Sequence, residues 1–205
     1  MSFSKFNLLA PINEALTNND YETPTKIQEK VIPLILNSDD ILARAQTGSG
    51  KTASFVLPIL NHWLNNMPSG KSKIKTLVLT PTRELTLQVS DTFNKFSSTF
   101  GKNIKVVSVI GGQSIADQLL DIQKGCDVVV ATAGRLLDIV DKKQINLENL
   151  EFFVLDEADK MLDLGFEEEL EQILENLPEQ RQNLLFSATY PPKMQKIAQK
   201  ITIIA

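Results

Sequence analysis

Residues 41–52 read ILARAQTGSGKT, and their reading decides the fold. ILARA is short and β-prone, AQTGSGKT is a Gly-rich turn closed by Lys and Thr, and ASFVLPIL (53–60) continues as an apolar helical pattern. Strand, Gly-rich turn, Lys-Thr and helix together make a phosphate cradle. Gly48 and Gly50 open backbone conformations closed to other residues, so that N–H groups from Ala45, Gln46, Thr47 and Ser49 onward can crowd an anion. The helix N-terminus adds about half a positive charge. In that setting Lys51 reaches the β- and γ-phosphates and Thr52 offers its hydroxyl to Mg²⁺. A bland Gly-rich turn with an incidental lysine is the alternative, and the flanking strand and helix argue against it.

Outward from the loop, further strand-like runs recur: TLVLT (76–80), IKVVSVI (104–110), VVVA (128–131), FFVLD (152–156) and LLFSA (184–188). They are apolar on both faces, as buried parallel strands are. Helical patterns separate them. Leu85, Val89, Phe93 and Phe96 share one face; Ile115, Leu119 and Ile122 another; Phe166, Leu170, Ile173, Leu174 and Leu177 a third; Met194, Ile197, Ala198 and Ile201 the last. Ser114 and Asp117 are spaced as a capping box, and Pro191–Pro192 suit a first helical turn. The alternation predicts an α/β domain with a mostly parallel central sheet and helices on both faces. Residues 65–75 (NNMPSGKSKIK) read as an exposed loop. A helical segment over 10–37, broken at Tyr21–Pro24, stands outside the repeating pattern.

FFVLDEAD ends a predicted strand on Asp156, 105 residues after Lys51. A carboxylate there can hold Mg²⁺ opposite Thr52, and Glu157 beside it can polarise an attacking water. An acidic N-cap is the plainer reading of an isolated DEAD string, weakened here by the phosphate loop.

With 205 residues, 42% of them apolar and 22% charged, the composition is that of a folded globular protein with a real core. No run approaches the ~18 apolar residues of a membrane span, and the start lacks the pattern of a signal peptide. One cysteine, Cys126, allows no internal disulfide, which points to the cytoplasm; it reads as a small buried apolar residue. His62 and Trp63 sit in a helix without a metal-ligand set. The net charge of −4 argues against binding nucleic acid by bulk charge. Eight acids fall between Asp156 and Glu171, however, and outside that segment 20 basic residues face 17 acidic ones.

Taken together, the motifs resemble the first RecA-like, P-loop NTPase domain of DEAD-box ATP-dependent RNA helicases, in the bacterial RhlE-like manner. The likeness spans essentially the whole chain, with the motifs in family order. It implies that residues 1–37 form a Q-motif region packed on a core domain of residues 38–205, and that a second RecA-like domain lies outside this chain. Tyr21 to Gln28 (YETPTKIQ) resembles the Q motif, which implies that Gln28 reads adenine, with Thr23 in the motif, Tyr21 stacking and Phe3 closing the pocket. Asp20 stands where the family usually has glycine. Pro81-Thr82-Arg83-Glu84, Gly111-Gly112 and Thr132-Ala133-Gly134-Arg135 resemble the RNA-contacting motifs, with Thr86 and Ala133 replacing the usual Ala and Pro. Each follows a strand end, so backbone amides and helix N-termini can follow a sugar–phosphate track without reading bases. Ser187-Ala188-Thr189 resembles the motif that couples both sites through Asp159.

The resemblance implies Mg²⁺ and ATP as cofactors, RNA and the second domain as partners, and little turnover by this piece alone. Three other readings are weaker. IGGQS (110–114) superficially suits an ABC transport ATPase, but Gly111 lies 45 residues before Asp156, too far for that signature. A small-molecule kinase needs an Arg-rich lid that is not found. A nucleotide-gated scaffold without turnover is separable by titrating RNA with and without nucleotide.

Overall fold

A computed structural model describes residues 2–67, 70 and 72–201. The sequence predicted a loop over 65–75; its residues 68, 69 and 71 lie outside the described set. A 3-10 turn at Phe3–Phe6 leads into α1 (Ala10–Asn18) and α2 (Lys26–Leu36). Then strands and helices alternate: β1 (Ile41–Arg44), α3 (Lys51–Asn65), β2 (Thr76–Thr80), α4 (Arg83–Ser97), β3 (Val106–Val109), α5 (Ile115–Gln123), β4 (Val128–Thr132) and α6 (Ala133–Asp141). After β5 (Phe152–Leu155) come α7 (Ala158–Asp163) and α8 (Glu167–Glu175), and finally β6 (Gln182–Ser187) and α9 (Pro192–Ile201). The six strands form one parallel sheet in the order β1-β6-β5-β2-β4-β3.

Period-two alternation sorts the strand side chains into two cores. Ile41, Ala43, Val78, Val128, Val130, Val154 and Phe186 pack with residues of α1 to α4 on one face. Leu77, Leu79, Val129, Ala131, Phe153, Leu155 and Leu185 pack with α6 to α9 on the other. The apolar stripes read from the sequence supply both layers: Val89, Phe93 and Phe96 are fully buried beneath α4, and Met194 and Ile197 beneath α9. The first half of the chain therefore covers one face of the sheet and the second half the other.

The break in the N-terminal segment has a local cause. Asp20 has φ +59°, the left-handed conformation that glycine takes most easily and Asp tolerates. Tyr21 N then donates back to Leu16 O at 2.9 Å, closing α1. At α5 the predicted capping box is half present: Asp117 N donates to Ser114 Oγ at 3.3 Å.

All strands run the same way, so every β-to-α turn opens on one edge of the sheet. That edge collects the site.

Candidate active site at the strand carboxyl ends

Strand order divides this edge in two. The loops after β1, β6 and β5 carry 45–52, 187–189 and 156–159; those after β2, β4 and β3 carry 81–84, 132–135 and 111–113.

In the first half, Lys51 opens α3 and Asp156 ends the β5 turn. Lys51 Nζ lies 2.6 Å from Asp156 Oδ1 and 3.6 Å from Glu157 Oε1, with Lys51 only 6% exposed and Asp156 fully buried. Among the described residues Asp156 Oδ2 meets no side-chain donor, while the Glu157 backbone N–H helps hold the carboxyl ionised. Burial pushes the Asp156 carboxyl above the usual range, against the opposing pull of the Lys51 ammonium. A buried ionised oxygen short of donors is costly, and a further cation placed there would satisfy it. Thr52 follows Lys51 at the start of α3 and is half-buried. The donor set suits Mg²⁺ shared with phosphate oxygens; among the described residues no group of three or more His, Cys, Asp and Glu forms an all-protein metal site.

Glu157 has φ +52°, an uncommon conformation for a glutamate, and its Oε1 accepts from Thr47 Oγ1 at 3.1 Å. The phosphate loop and the DEAD turn are thus tied side chain to side chain. Strain of this kind collects at sites where geometry matters more than comfort.

Asp159 Oδ2 accepts from both Thr189 N and Thr189 Oγ1 at 2.9 Å. Asp159 N donates to Ser187 Oγ at 3.2 Å, and Ser187 Oγ donates onward to Thr189 O at 2.7 Å. Burial alone acts to raise the Asp159 carboxyl, but these hydrogen bonds outweigh it and hold the group below its ordinary value.

Gln28 is 1% exposed, and both ends of its amide are bonded. Its Oε1 accepts from Thr25 N at 2.9 Å, one arm of a capping box, and its Nε2 donates to Gly50 O at 3.0 Å. Gly50 has φ +86°, and a Cβ there would stand 2.7 Å from Gln28 Nε2. Sequence reasoning gave Gln28 a base to read; the structure sets it against the phosphate loop. Phe3 is buried against Phe6 with ring centroids 5.9 Å apart, and Tyr21 meets Phe96 edge-on at 5.0 Å. With Asp20 these two line a cavity of about 510 Å³ whose lining includes neither Gln28 nor residues 45–52. The predicted nucleotide residues therefore fall into two groups, and Thr23, exposed, belongs to neither contact set.

The second half of the edge is built differently. Thr82 caps α4 by accepting from Leu85 N at 3.2 Å, behind the buried Pro81, while Arg83 and Glu84 are exposed. Gly112 has φ +76°, and a Cβ on it would sit 2.5 Å from Arg83 Nη1, so two predicted RNA motifs touch. Arg135 Nη1 donates to Gln113 O at 3.1 Å and to Gln118 Oε1 at 3.3 Å, joining the third. Thr132, half-buried, makes no side-chain cap at the start of α6, and Gly134 and Gly111 have open space about them. Thr86, in place of the usual Ala, is buried with its hydroxyl 2.6 Å from Thr80 Oγ1 and bonded to Thr82 O.

Gln118 is the residue that motif reading missed. It is 5% exposed and bridges the Ile110 backbone to Arg135. A polar residue on the apolar face shared by Ile115, Leu119 and Ile122 was the available signal.

The acidic run after Asp156 is partly neutralised at its far end: Glu167 pairs with Lys193 at 3.0 Å and Glu171 with Lys200 at 2.6 Å. His62 pairs with Glu151 at 2.9 Å, and burial pushes the Cys126 thiol up to about 12, where it is inert.

A family model for DEAD/DEAH box helicases matches residues 25–197. The chain belongs to the DEAD/DEAH box helicase family. It is 43% identical over 201 residues to a probable ATP-dependent RNA helicase of Methanocaldococcus jannaschii, covering 98% of this chain and 53% of that protein. It is 40% identical over 200 residues to the DEAD-box ATP-dependent RNA helicase CshA of Bacillus subtilis, covering 98% and 39%. The crystal structure of a DEAD box protein from the hyperthermophile Methanococcus jannaschii superposes with a TM-score of 0.91 at 40% identity, over 100% of this chain and 54% of that one. The chain spans about half the length, or less, of these relatives. Its fold is the RecA-like domain of a DEAD-box helicase, as the sequence predicted.

Proposed function

We propose that this domain binds Mg²⁺ and ATP for a DEAD-box RNA helicase whose second RecA-like domain lies outside residues 1–205, in a cytoplasmic setting. The observation that carries the reading is the Lys51–Asp156 pair at 2.6 Å, buried at the mouth of the 45–52 loop with Asp156 Oδ2 left without a side-chain donor among the described residues.

Backbone amides of residues 46–52 and the α3 N-terminus receive the β- and γ-phosphates. Lys51 turns from Asp156 toward the γ-phosphate, leaving the carboxylate in need of a cation. Asp156 and Thr52 are the residues that would hold magnesium, which supplies neutralisation of the developing phosphate charge. Glu157, held by Thr47, orients the attacking water and takes its proton. Phe3, Tyr21 and Thr23 belong to the adenine end. Gln28 joins that end to the loop, because releasing Thr25 N or Gly50 O frees its amide to accept from and donate to the adenine edge.

Pro81, Thr82, Arg83, Glu84, Gly111, Gly112, Thr132, Gly134 and Arg135 form a sequence-independent backbone track for RNA, with ribose hydroxyls selecting RNA over DNA. The Asp159–Ser187–Thr189 network relays between the halves. The isolated domain hydrolyses little, because arginines from a second domain are worth about three to five orders of magnitude.

In the protein with both domains, Glu157→Gln is expected to lower RNA-stimulated hydrolysis by about 10²–10⁴ while ATP binding persists; an unchanged rate removes Glu157 from its role. Comparing ATP and GTP binding in wild type and Gln28→Ala tests the adenine assignment. Selectivity that survives the change contradicts it.

A further inference from the structure

The sheet ends on β3, and among the described residues no further strand pairs with its outer backbone edge. In a parallel ladder, alternate residues aim both main-chain groups at the same neighbour. Val128 N donates to Lys105 O at 3.0 Å, so Lys105, Val107 and Val109 face β4 while Val106, Ser108 and Ile110 face outward. Ile110 shows what this outward track accepts. Its N–H donates to Gln118 Oε1 at 3.2 Å, and its carbonyl accepts from Gln118 Nε2 at 2.9 Å. A side-chain carboxamide stands where the peptide group of a seventh strand would stand.

The imitation stops there. Among the described residues none meets the outward backbone groups of Val106 and Ser108, and Val106 to Ser108 are only half-buried. A groove of about 580 Å³ runs beside them, lined by Val106, Val107, Ser108, Gln113, Asp117 and Asp121. Its charge is negative. The Asp117 carboxylate is exposed, and among the described residues Asp121 pairs only with the exposed Lys124 of the next helical turn. Sheet edges are commonly blunted by charged side chains. The opposite edge, β1, carries Arg44 and follows Asp39–Asp40, whereas β3 reads Val-Val-Ser-Val.

We propose that the β3 edge docks an extended, basic peptide segment of a partner protein, which adds as a seventh strand. Val106 and Ser108 supply main-chain hydrogen bonds continuing the track that Gln118 begins, and Asp117 and Asp121 take the segment's lysines or arginines. The two carboxylates disfavour RNA as the occupant, since they would repel its phosphates. The surface is separate from the 45–52 and 156–159 loops, and this reading does not depend on ATP turnover.

The test uses the 205-residue protein and a fluorescent hexapeptide alternating lysine and valine, beside the same peptide N-methylated on alternate amides. The expected result is saturable binding that weakens at least about tenfold on N-methylation and about tenfold in Asp117→Lys/Asp121→Lys. Amide exchange at Val106 and Ser108 slows by a similar factor when the unmethylated peptide binds. Both aspartates are exposed, and an unchanged circular dichroism spectrum verifies the variant's fold. Binding indifferent to N-methylation or to charge reversal overturns the proposal, as does absence of binding at millimolar peptide. Protection of the same amides by uridine homopolymer, or by self-association without peptide, assigns the edge to RNA or to a second copy and also overturns it.

Discussion

The two halves of the sheet's carboxyl edge solve different problems with different materials. On the β1-β6-β5 side the work falls to side chains: a buried ammonium–carboxylate pair, a glutamate in a left-handed turn, and an aspartate fixed by three hydrogen bonds to the 187–189 turn, two accepted by its carboxylate and one donated by its backbone N–H. On the β2-β4-β3 side the chain offers glycines, helix starts and backbone, with Arg135 spent partly on holding the loops together. A triphosphate with its metal is compact and densely charged, and low-dielectric pairing recognises it well. A sugar–phosphate track is long and repetitive, and amide donors in register suit it without much net positive charge. On the proposed reading, that contrast lets a chain of net charge −4 bind RNA through its backbone.

The largest expected effect falls on the first half. Lys51→Met strands Asp156 as an unpaired buried carboxylate, which costs about 3–5 kcal/mol of stability unless the acid takes up a proton. ATP affinity falls by about 100-fold or more. Adding Asp156→Asn restores most of the thermal stability but not binding, and calorimetry of the three proteins separates those outcomes. If the double variant binds ATP normally, the pair is structural only.

A matched pair of glycine substitutions sharpens the comparison. Gly50→Ala combines φ +86° with a Cβ 2.7 Å from Gln28 Nε2 and 2.9 Å from Thr25 Oγ1. It is expected to cost about 1–3 kcal/mol and to abolish ATP binding. Gly112→Ala also has positive φ, but its clash is with the free end of Arg83, which can move aside. About 1 kcal/mol of strain follows, with RNA affinity down several-fold and ATP affinity unchanged in equilibrium titrations. Equal loss of ATP binding in both would erase the distinction between the halves.

The smallest effect concerns the relay. Hydrogen bonds from Thr189 and Ser187 hold the Asp159 carboxyl below its ordinary value of 3.8. The stability this contributes is present above that value and disappears as pH falls through the lowered one. Thr189→Val is expected to raise the Asp159 titration point toward normal and move the acid limb of the unfolding curve to higher pH. Carboxyl carbon NMR during an acid titration measures it directly.

The ease of reading this molecule from its sequence follows the same division. ILARAQTGSGKT and FFVLDEAD announce their chemistry because side-chain identity carries it, and the parallel strands announce themselves as two-sided apolar runs. The loops proposed to meet RNA were legible only through resemblance, since Gly111-Gly112 or Thr132 to Arg135 in isolation are ordinary turns. The contact of Arg83 with Gly112, and Gln118 as their neighbour's anchor, are products of strand order, which pattern alone did not supply. Gln28 was placed by its motif, yet its hold on Gly50 O depends on how α2 packs on α3. Asp20 looked out of place in sequence and proves to occupy a left-handed turn that its short polar side chain tolerates.

The most direct test of this partition is an amide NMR map of the domain titrated with a non-hydrolysable ATP analogue and Mg²⁺. Shifts concentrated in residues 45–52, 156–159 and 187–189, with 81–84, 111–113 and 132–135 changing little, are the predicted result. Shifts confined to the second set, or none in the first at saturating analogue, would contradict the account.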